Sequence, residues 1–318
     1  MNTITGLATK LASGEITGTA LVKNSFELIE DPAGEGARIF ISLHRQAAIK
    51  QAHVVDSARK GGKALAPLAG IPFSAKDLFD VAGQVTTAGS KVLADAPAAR
   101  QTAMVVQRLE DAGMINIGRT NMTEFAYSGL GLNPHYGTPK SVYDRATGRC
   151  PGGSSSGSAV SIADNIVCAT VGTDTGGSCR TPAAFNNIVG FKPSCGRMPS
   201  EGVYPLSVNF DTPGPFGNSV TCCYILDQIM AGAEVKTLPE LEPAPPKAIT
   251  LTVPQSIVLE HLDPAVASAF TNSLTALSKA GVRIIETPAQ LFDRIIERNA
   301  IAGIAQYDAF QQHKDLLA

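Results

Sequence analysis

Two glycine-rich segments carry closely spaced serines and are the part of the sequence best suited to chemistry. The first is PGGSSSG over residues 151–157, and the second is TDTGGS over residues 173–178. Glycine lets the backbone adopt positive φ and approach other groups closely, and a serine hydroxyl can act as a nucleophile. The amide N–H groups of such a turn can bind a developing oxyanion. This combination is suited to acyl transfer, with Ser178 as the candidate nucleophile.

Two other interpretations of these segments stay open on the residues alone. A glycine-rich turn before a helix can bind phosphate, although the sequence contains neither GxxxxGK[ST] nor GxGxxG. Most Gly-Gly-Ser turns are ordinary loops. The GxSxG spacing of a nucleophile elbow is absent as well, so the likeness to such an elbow is limited to a serine between a strand and a helix.

A serine nucleophile needs a base, and no histidine flanks either segment. The five histidines are His44, His53, His135, His261 and His313. Lysine can take over this role when burial lowers its pKa enough to leave the amine neutral. Lys76 follows the apolar residues of GIPFSAK and is therefore the candidate base. Taken by itself, a lysine at such a position is more often structural.

The elements that must position these residues alternate between strands and helices. Strands are predicted within LAGIPFSAK, MINIGRT and NIVCATVG, and further along the chain within ITLTVP and VRIIET. Helices are predicted within TALVKNSFELIE and TAMVVQRLEDAG, near Arg180 and after Asp263. The residues after Gly232 are rich in proline and charge and indicate an exposed loop. The alternation predicts an α/β fold, in which helices cover both faces of a central sheet.

Composition narrows the class of protein. The chain has 318 residues, of which 44% are hydrophobic and 17% charged, and its formal net charge is −2. The sequence has no cluster of basic residues, so we expect neither direct nucleic-acid binding nor attraction to an anionic membrane. No apolar run reaches membrane-spanning length, and the first residues lack the apolar core of a signal peptide. These features predict a cytoplasmic protein.

The cysteines predict neither a disulfide framework nor a metal site. They are Cys150, Cys168, Cys179, Cys195, Cys222 and Cys223. No two of them form a CxxC pair, and the histidines do not cluster with them. We therefore expect buried free thiols, no metal and no cofactor.

Five motifs occur in the order found in the amidase signature family, which this chain resembles over most of its length. They are GIPFSAKDLFDVAG, GRTNMTEFAYSG, PGGSSSGSAVSIA, GTDTGGSCRTPAAFNNIVGFKPS and DTPGPFGNSV. The resemblance implies a Ser–cisSer–Lys triad with Ser178 as nucleophile, Ser154 as the bridging serine and Lys76 as base. It also implies a cis peptide bond between Gly153 and Ser154. Protons would pass from Ser178 through Ser154 to neutral Lys76, which explains the lack of a nearby histidine.

The same resemblance implies roles for the surrounding residues. The backbone N–H groups of Thr175, Gly176, Gly177 and Ser178 match the family's oxyanion hole. Gly153, Ser155, Asp174 and Arg180 are expected to support the site or the substrate, with a structural ion pair as the expected role of Asp174 and Arg180. The sequence departs from the family pattern at Ser156, Asn186 and Asn187, and none of these positions is catalytic in the family.

The resemblance further implies one domain over residues 1–318 with a mixed central sheet. We expect a helical segment over about residues 1–60 and a catalytic core over about residues 65–230. The last residues resemble a helix that lies well before the C-terminus in family members. We therefore expect a longer natural protein, with a shortened variant as the alternative.

The expected function is hydrolysis of a carboxylic amide, with release of ammonia or an amine. The alternatives are the glutaminase subunit of a tRNA-dependent amidotransferase and a binding module without catalysis. A small-molecule amide is the expected partner, many family members form homodimers, and contact with nucleic acid is expected only inside an amidotransferase complex.

Overall fold

The structure is a computed structural model that describes residues 2–301 and 303–316. The chain forms two compact units: a larger unit, Met1–Glu240 with Gln312–Ala318, and a smaller unit, Leu241–Gln311. The candidate residues of both glycine-rich segments lie in the larger unit. The single domain expected over residues 1–318 stays a prediction.

The larger unit contains helices and strands in alternation. Its helices are α1 (Ile4–Ser13), α2 (Gly18–Glu30), α3 (Gly36–Ile39), α4 (Arg45–Lys60), α5 (Met104–Asp111), α6 (Ser156–Ala163), α7 (Arg180–Phe185) and α8 (Val220–Met230). Its strands are β1 (Phe40–Leu43), β2 (Pro72–Lys76), β3 (Ile115–Thr120), β4 (Ala169–Asp174), β5 (Val189–Gly190) and β6 (Thr212–Gly217). A 3₁₀ turn covers Glu124–Ala126.

Within the described residues of the larger unit, six strands form one mixed sheet in the order β1-β3-β2-β4-β6-β5. Strand β2 pairs in parallel with both β3 and β4, whereas β1 with β3, β4 with β6 and β5 with β6 are antiparallel. The predicted α/β fold with a mixed central sheet is therefore confirmed. The ends of β2 and β4 lie side by side, which brings the residues that follow them together.

Two hydrophobic clusters flank this sheet. Phe73 and Ala75 of β2 belong to a cluster with residues of α1, α5 and α8. Ile115 and Ile117 of β3 belong to a second cluster, with residues of α2, α4 and α6. Successive residues of a strand point to opposite faces, so Ser74 and Lys76 point away from the face that Phe73 and Ala75 occupy. Lys76 is thus directed toward the α6 side of the sheet.

The predicted elements around the site are confirmed, with strands β2, β3 and β4 and helices α2, α5 and α7 at the expected places. Strand β6 was not predicted; it carries the sequence TPGPFG and pairs with β4 along its whole length. The sequence did not predict this strand because it contains two prolines and two glycines, and these residue types are depleted in sheet interiors.

The smaller unit contains the parallel pair β7 (Thr250–Gln255) and β8 (Arg283–Pro288). Its helices are α9 (Pro264–Lys279), α10 (Gln290–Ile301) and most of α11 (Ile304–His313). Asp263 caps α9 by accepting a hydrogen bond from the Ala265 amide at 2.8 Å, as predicted. Short 3₁₀ turns cover Pro246–Ala248 and Ile257–Leu259 in this unit, and a third turn, Lys314–Leu316, belongs to the larger unit.

None of the helices in the described part of the chain combines the length and the apolar character that crossing a membrane requires.

Candidate active site

Lys76 and Ser154 are in direct contact inside the larger unit. Lys76 is the last residue of β2, and its Nζ donates to Ser154 Oγ at 2.7 Å and to Thr173 Oγ1 at 2.8 Å. Both Lys76 and Ser154 have a relative exposure of 0%. The two residues that the sequence identifies as base and bridging serine are therefore joined by a hydrogen bond, and water is excluded from it.

The backbone before α6 holds Ser154 in place. The Gly153–Ser154 peptide bond is cis, as the resemblance implies. The Ser154 carbonyl accepts a hydrogen bond from the Thr123 amide at 3.0 Å. A side chain at residue 153 would lie only 2.5 Å from the Gly131 amide nitrogen, so glycine is required there by close packing.

Ser178 lies in the turn between β4 and α7, where a serine between a strand and a helix was expected. Its relative exposure is 7%, in contrast to the fully enclosed Lys76 and Ser154. The Ser155 amide donates to the Ser178 carbonyl at 3.4 Å, which places the two glycine-rich segments next to each other. The structure thus brings the three predicted triad residues into one region.

Asp174 organises the turn that carries Ser178. Its carboxylate accepts hydrogen bonds from the Gly177 amide at 2.8 Å and the Cys179 amide at 3.1 Å. Arg180 adds two contacts, from Nε at 3.0 Å and from Nη2 at 2.9 Å. Burial raises the pKa of Asp174, but the hydrogen bonds from Arg180 and from the backbone outweigh it and lower the pKa below its usual value. Asp174 and Arg180 form the expected ion pair, which shapes the turn.

The amide N–H groups of this turn are not equivalent. The Gly177 N–H donates to the Asp174 carboxylate. Across the described residues, no intramolecular hydrogen bond engages the N–H groups of Gly176 and Ser178. The oxyanion hole expected at Thr175, Gly176, Gly177 and Ser178 stays a prediction, with the N–H groups of Gly176 and Ser178 unengaged and that of Gly177 bonded to Asp174.

Ser155 connects the two glycine-rich segments structurally. Its Oγ donates to the Thr173 carbonyl at 3.3 Å and accepts from the Thr173 amide at 3.4 Å. A Cβ at Gly172 would lie 2.6 Å from this hydroxyl, so glycine is needed beside it. Ser155 supports strand β4 next to the base.

The environment of Lys76 lowers its proton affinity. Complete burial lowers the pKa of Lys76 to about 8, against opposing contributions from Cys179, Asp211 and Asp174. A charged amine is costly in a site without water, whereas the neutral amine is not. A larger fraction of Lys76 than of an ordinary lysine is therefore neutral near pH 7.

Three further residues that organise the site were not predicted from the sequence. Thr173 is the second partner of Lys76. Asn186 holds the glycine-rich segment, since its Nδ2 donates to the Pro151 carbonyl at 2.8 Å and to the Pro182 carbonyl at 2.8 Å. Asp211 accepts a hydrogen bond from Thr175 Oγ1. Asp211 begins a motif that carried the family resemblance, so a signal for it was present.

Asp77, the residue after Lys76, forms a buried ion pair with Arg119. Arg119 Nε donates to Asp77 Oδ1 at 2.5 Å, and the Gly89 amide donates to Asp77 Oδ2 at 3.0 Å. Because Asp77 follows Lys76, this pair anchors the end of β2 to β3 and to the loop around Gly89. Removing one partner would leave a buried charge without compensation.

Besides the triad residues, the thiol next to Ser178 and side chains of metal-ligating types are groups capable of chemistry. Burial raises the pKa of the Cys179 thiol well above its usual value, so the neighbour of Ser178 is not a thiolate. In the chain as described, no group of three or more His, Cys, Asp and Glu side chains is arranged to hold a metal ion.

Comparison with known proteins gives a consistent family match. The family model described as Amidase matches residues 35–318. The chain is 40% identical over 242 residues to a glutamyl-tRNA(Gln) amidotransferase subunit of Ralstonia nicotianae, covering 76% of this chain and 48% of that protein. It is 36% identical over 298 residues to the corresponding amidotransferase subunit of Koribacter versatilis, covering 90% of this chain and 61% of that protein. The chain thus spans about half to three-fifths of the length of these curated relatives.

Solved structures show the same likeness. A crystal structure described as an amidase superposes with a TM-score of 0.88 at 34% identity, covering 99% of this chain and 69% of that chain. The peptide amidase from Stenotrophomonas maltophilia superposes with a TM-score of 0.82 at 28% identity, covering 99% of this chain and 68% of that chain.

Proposed function

This chain belongs to the amidase family, and from that premise we propose that it carries the Ser–cisSer–Lys centre of an amidohydrolase. The reaction is hydrolysis of a carboxylic amide through an acyl-enzyme, with release of ammonia or an amine. The observation that carries the proposal is the 2.7 Å contact between the buried Lys76 Nζ and Ser154 Oγ, beside the turn that bears Ser178.

Acylation begins when Ser178 Oγ attacks the amide carbonyl carbon. The Ser178 proton passes to Ser154 Oγ, and the Ser154 proton passes to neutral Lys76 Nζ. The carbonyl oxygen becomes an oxyanion and accepts hydrogen bonds from the free N–H groups of the Thr175–Ser178 turn, which stabilise the transition state more than the substrate.

Collapse of the tetrahedral intermediate breaks the C–N bond. The proton returns from Lys76 through Ser154 to the leaving nitrogen, which departs as ammonia or an amine. Water then attacks the ester of Ser178 with the same relay as general base. The carboxylic acid leaves, and the hydroxyl of Ser178 and the neutral amine of Lys76 are restored.

An amide panel with ammonia release as the readout tests this function. The panel contains glutamine, short aliphatic amides, aryl amides and a C-terminal peptide amide, and wild type is compared with Ser178→Ala. Turnover of at least one amide by wild type alone supports the proposal. The absence of turnover for every amide, together with no labelling by a serine-directed fluorophosphonate, contradicts it.

A second candidate is the glutaminase subunit of a tRNA-dependent amidotransferase. The names of the curated relatives, at 34–40% identity, favour it. In that case glutamine is the amide hydrolysed, and partner subunits use the ammonia. Preference for glutamine in the panel and copurification of the other subunits from the native source support this alternative, whereas hydrolysis of other amides by the chain without partners supports a stand-alone amidase.

The same centre makes a binding module without catalysis the weaker alternative. Lys76, Ser154 and Ser178 are all present, Lys76 is hydrogen-bonded to Ser154, and the Ser178 carbonyl accepts from the Ser155 amide. A buried lysine is energetically costly, and a site without catalysis has no reason to retain it.

A further inference from the structure

The segment Gly202–Ser207 is attached to the chain that directly follows the base. The Tyr204 amide donates to the Leu78 carbonyl at 2.8 Å, and the Asp80 amide donates to the Gly202 carbonyl at 2.8 Å. Phe79 and Val203 form an antiparallel bridge between these contacts. This segment is therefore held against the chain two to four residues beyond Lys76, the last residue of β2.

Asp211 connects the same segment to the turn that bears the nucleophile. The β4–β6 pairing ends with Asp174 opposite Thr212, so Thr175 and Asp211 are the next pair beyond the ladder. Thr175 Oγ1 donates to Asp211 Oδ1. The other carboxylate oxygen accepts from the Leu206 amide at 2.7 Å and from the Ser207 amide at 3.0 Å. The Asp211 carboxylate thus joins the segment that contacts the chain after Lys76 to the turn that bears Ser178.

Asp211 accepts hydrogen bonds from neutral groups, whereas Asp174 forms an ion pair with Arg180. Three titratable groups act on Lys76, namely Cys179, Asp211 and Asp174. Asp174 is paired with Arg180, and burial keeps the Cys179 thiol uncharged. Over the residues that the structure describes, Asp211 has neutral hydrogen-bond donors and no ion-pair partner. Its negative charge therefore acts on the base without a compensating cation.

We propose that Asp211 is a positioning residue of this site, which fixes the Thr175 turn to the Leu206–Ser207 segment and supplies an unpaired negative charge close to the buried base. The hydrogen bonds set the orientation of the N–H groups beside Ser178. The charge of the half-buried Asp211 favours the protonated amine that forms when Lys76 accepts the proton, because opposite charges attract each other. The proposal rests on the proposed role of Lys76 as base.

Three substitutions separate these two effects. Asp211→Asn keeps the shape of the side chain but removes its charge and one acceptor. Thr175→Val removes the hydroxyl that Asp211 binds and leaves all charges unchanged. Asp95→Asn makes the same chemical change as Asp211→Asn at an exposed loop residue and serves as the matched control.

The titration of Lys76 is measured by NMR on protein labelled with ¹³C at the lysine Cε, with Lys76→Met used to assign its signal. We expect a midpoint near the value of about 8 in wild type, Thr175→Val and Asp95→Asn, and a lower midpoint in Asp211→Asn. In parallel, the rate of fluorophosphonate labelling at Ser178 should fall in both Asp211→Asn and Thr175→Val, and not in Asp95→Asn.

An unchanged Lys76 midpoint in a folded Asp211→Asn protein would refute the electrostatic role, and wild-type labelling rates in both site variants would refute the positioning role. Thermal unfolding of each variant verifies that it is folded. The NMR titration needs no substrate, so its result stands even if the amide panel shows no turnover and the proposed function fails.

Discussion

Lys76 Nζ lies 2.7 Å from Ser154 Oγ, and neither residue is exposed to solvent. A proton that leaves Ser154 has the lysine amine as its nearest acceptor, since water does not reach the pair. The same enclosure makes the charged amine expensive. The site therefore combines a short path for the proton with a base whose proton affinity is reduced, and both properties are open to measurement.

The first prediction concerns the pH dependence of activity. Burial lowers the pKa of Lys76 to about 8, and only the neutral amine can accept a proton. We expect kcat/KM to rise tenfold per pH unit below this value and to level off above it. The pH dependence of kcat/KM, measured with any amide that is turned over, tests this rise. A kcat/KM that stays constant down to pH 6 would contradict the assignment of Lys76.

The second prediction concerns the loss of the base. Lys76→Ala should lower kcat/KM by on the order of 10²-fold or more, the scale expected for removing a general base. The exposed Lys91→Ala is the control and should retain wild-type activity. The residual activity of Lys76→Ala should also lack the rise in kcat/KM with pH that wild type shows below a pH of about 8. Near-normal kcat/KM in this variant would exclude the proposed relay.

The third prediction concerns stability. The pKa of Lys76 falls from its ordinary value of 10.5 to about 8 on folding, so between these values the unfolded state binds a proton that the folded state does not. The unfolding free energy of wild type therefore rises with pH between the folded-state value of about 8 and the ordinary value of 10.5. Below pH 8, the cost of keeping the buried amine protonated lowers the unfolding free energy by about 3 kcal/mol. Lys76→Met removes this penalty but also loses two hydrogen bonds, worth about 1 kcal/mol each.

Urea unfolding at pH 6 and at pH 10 measures this balance. Lys76→Met should be inactive yet at least as stable as wild type at pH 6, and its relative stability should decline toward pH 10. A variant that is strongly destabilised at pH 6, or whose stability relative to wild type does not change with pH, would contradict the depressed pKa.

How far the sequence predicts the fold can be argued from β4 and β6. Strand β4 was predicted because Ala169–Asp174 continues an apolar run typical of a strand buried on both faces. Strand β6 is its neighbour and equally buried, but Thr212–Gly217 contains prolines and glycines that normally exclude a central strand. Its place follows from pairing with β4, and such pairing depends on tertiary structure that local residue preferences do not encode.

The candidate site likewise contains residues that the sequence predicts and residues that it does not. Lys76, Ser154 and Ser178 were identified from ordered motifs, because each motif is local in sequence. The contacts that Thr173, Asn186 and Asp211 make around the site join segments far apart in the chain, as in the hydrogen bond between Lys76 and Thr173. The commitment of the Gly177 N–H to Asp174 depends on the path of the turn, which TDTGGS does not specify.

The fourth prediction concerns the nucleophile. Ser178→Ala should reduce turnover to the background rate while leaving the fold intact. A fluorophosphonate should label wild type at Ser178, which has some exposure, and not at the enclosed Ser154 or Ser155. Peptide mapping by mass spectrometry identifies the labelled residue, and a label on either of the other serines would require a different assignment.

The fifth prediction compares two glycines near the nucleophile. At Gly172 a Cβ would lie 2.6 Å from Ser155 Oγ and 2.7 Å from the Phe216 ring, whereas at Gly176 no atom lies within 4 Å. Gly172→Ala should therefore displace Ser155 or β4, costing about 1–3 kcal/mol of stability, the usual range for overpacking, and lowering activity as well. Gly176→Ala keeps the backbone N–H and should unfold at nearly the wild-type temperature. Thermal unfolding of both variants measures the difference, and equal stability of the two would show that Ser155 does not pack against β4 as described.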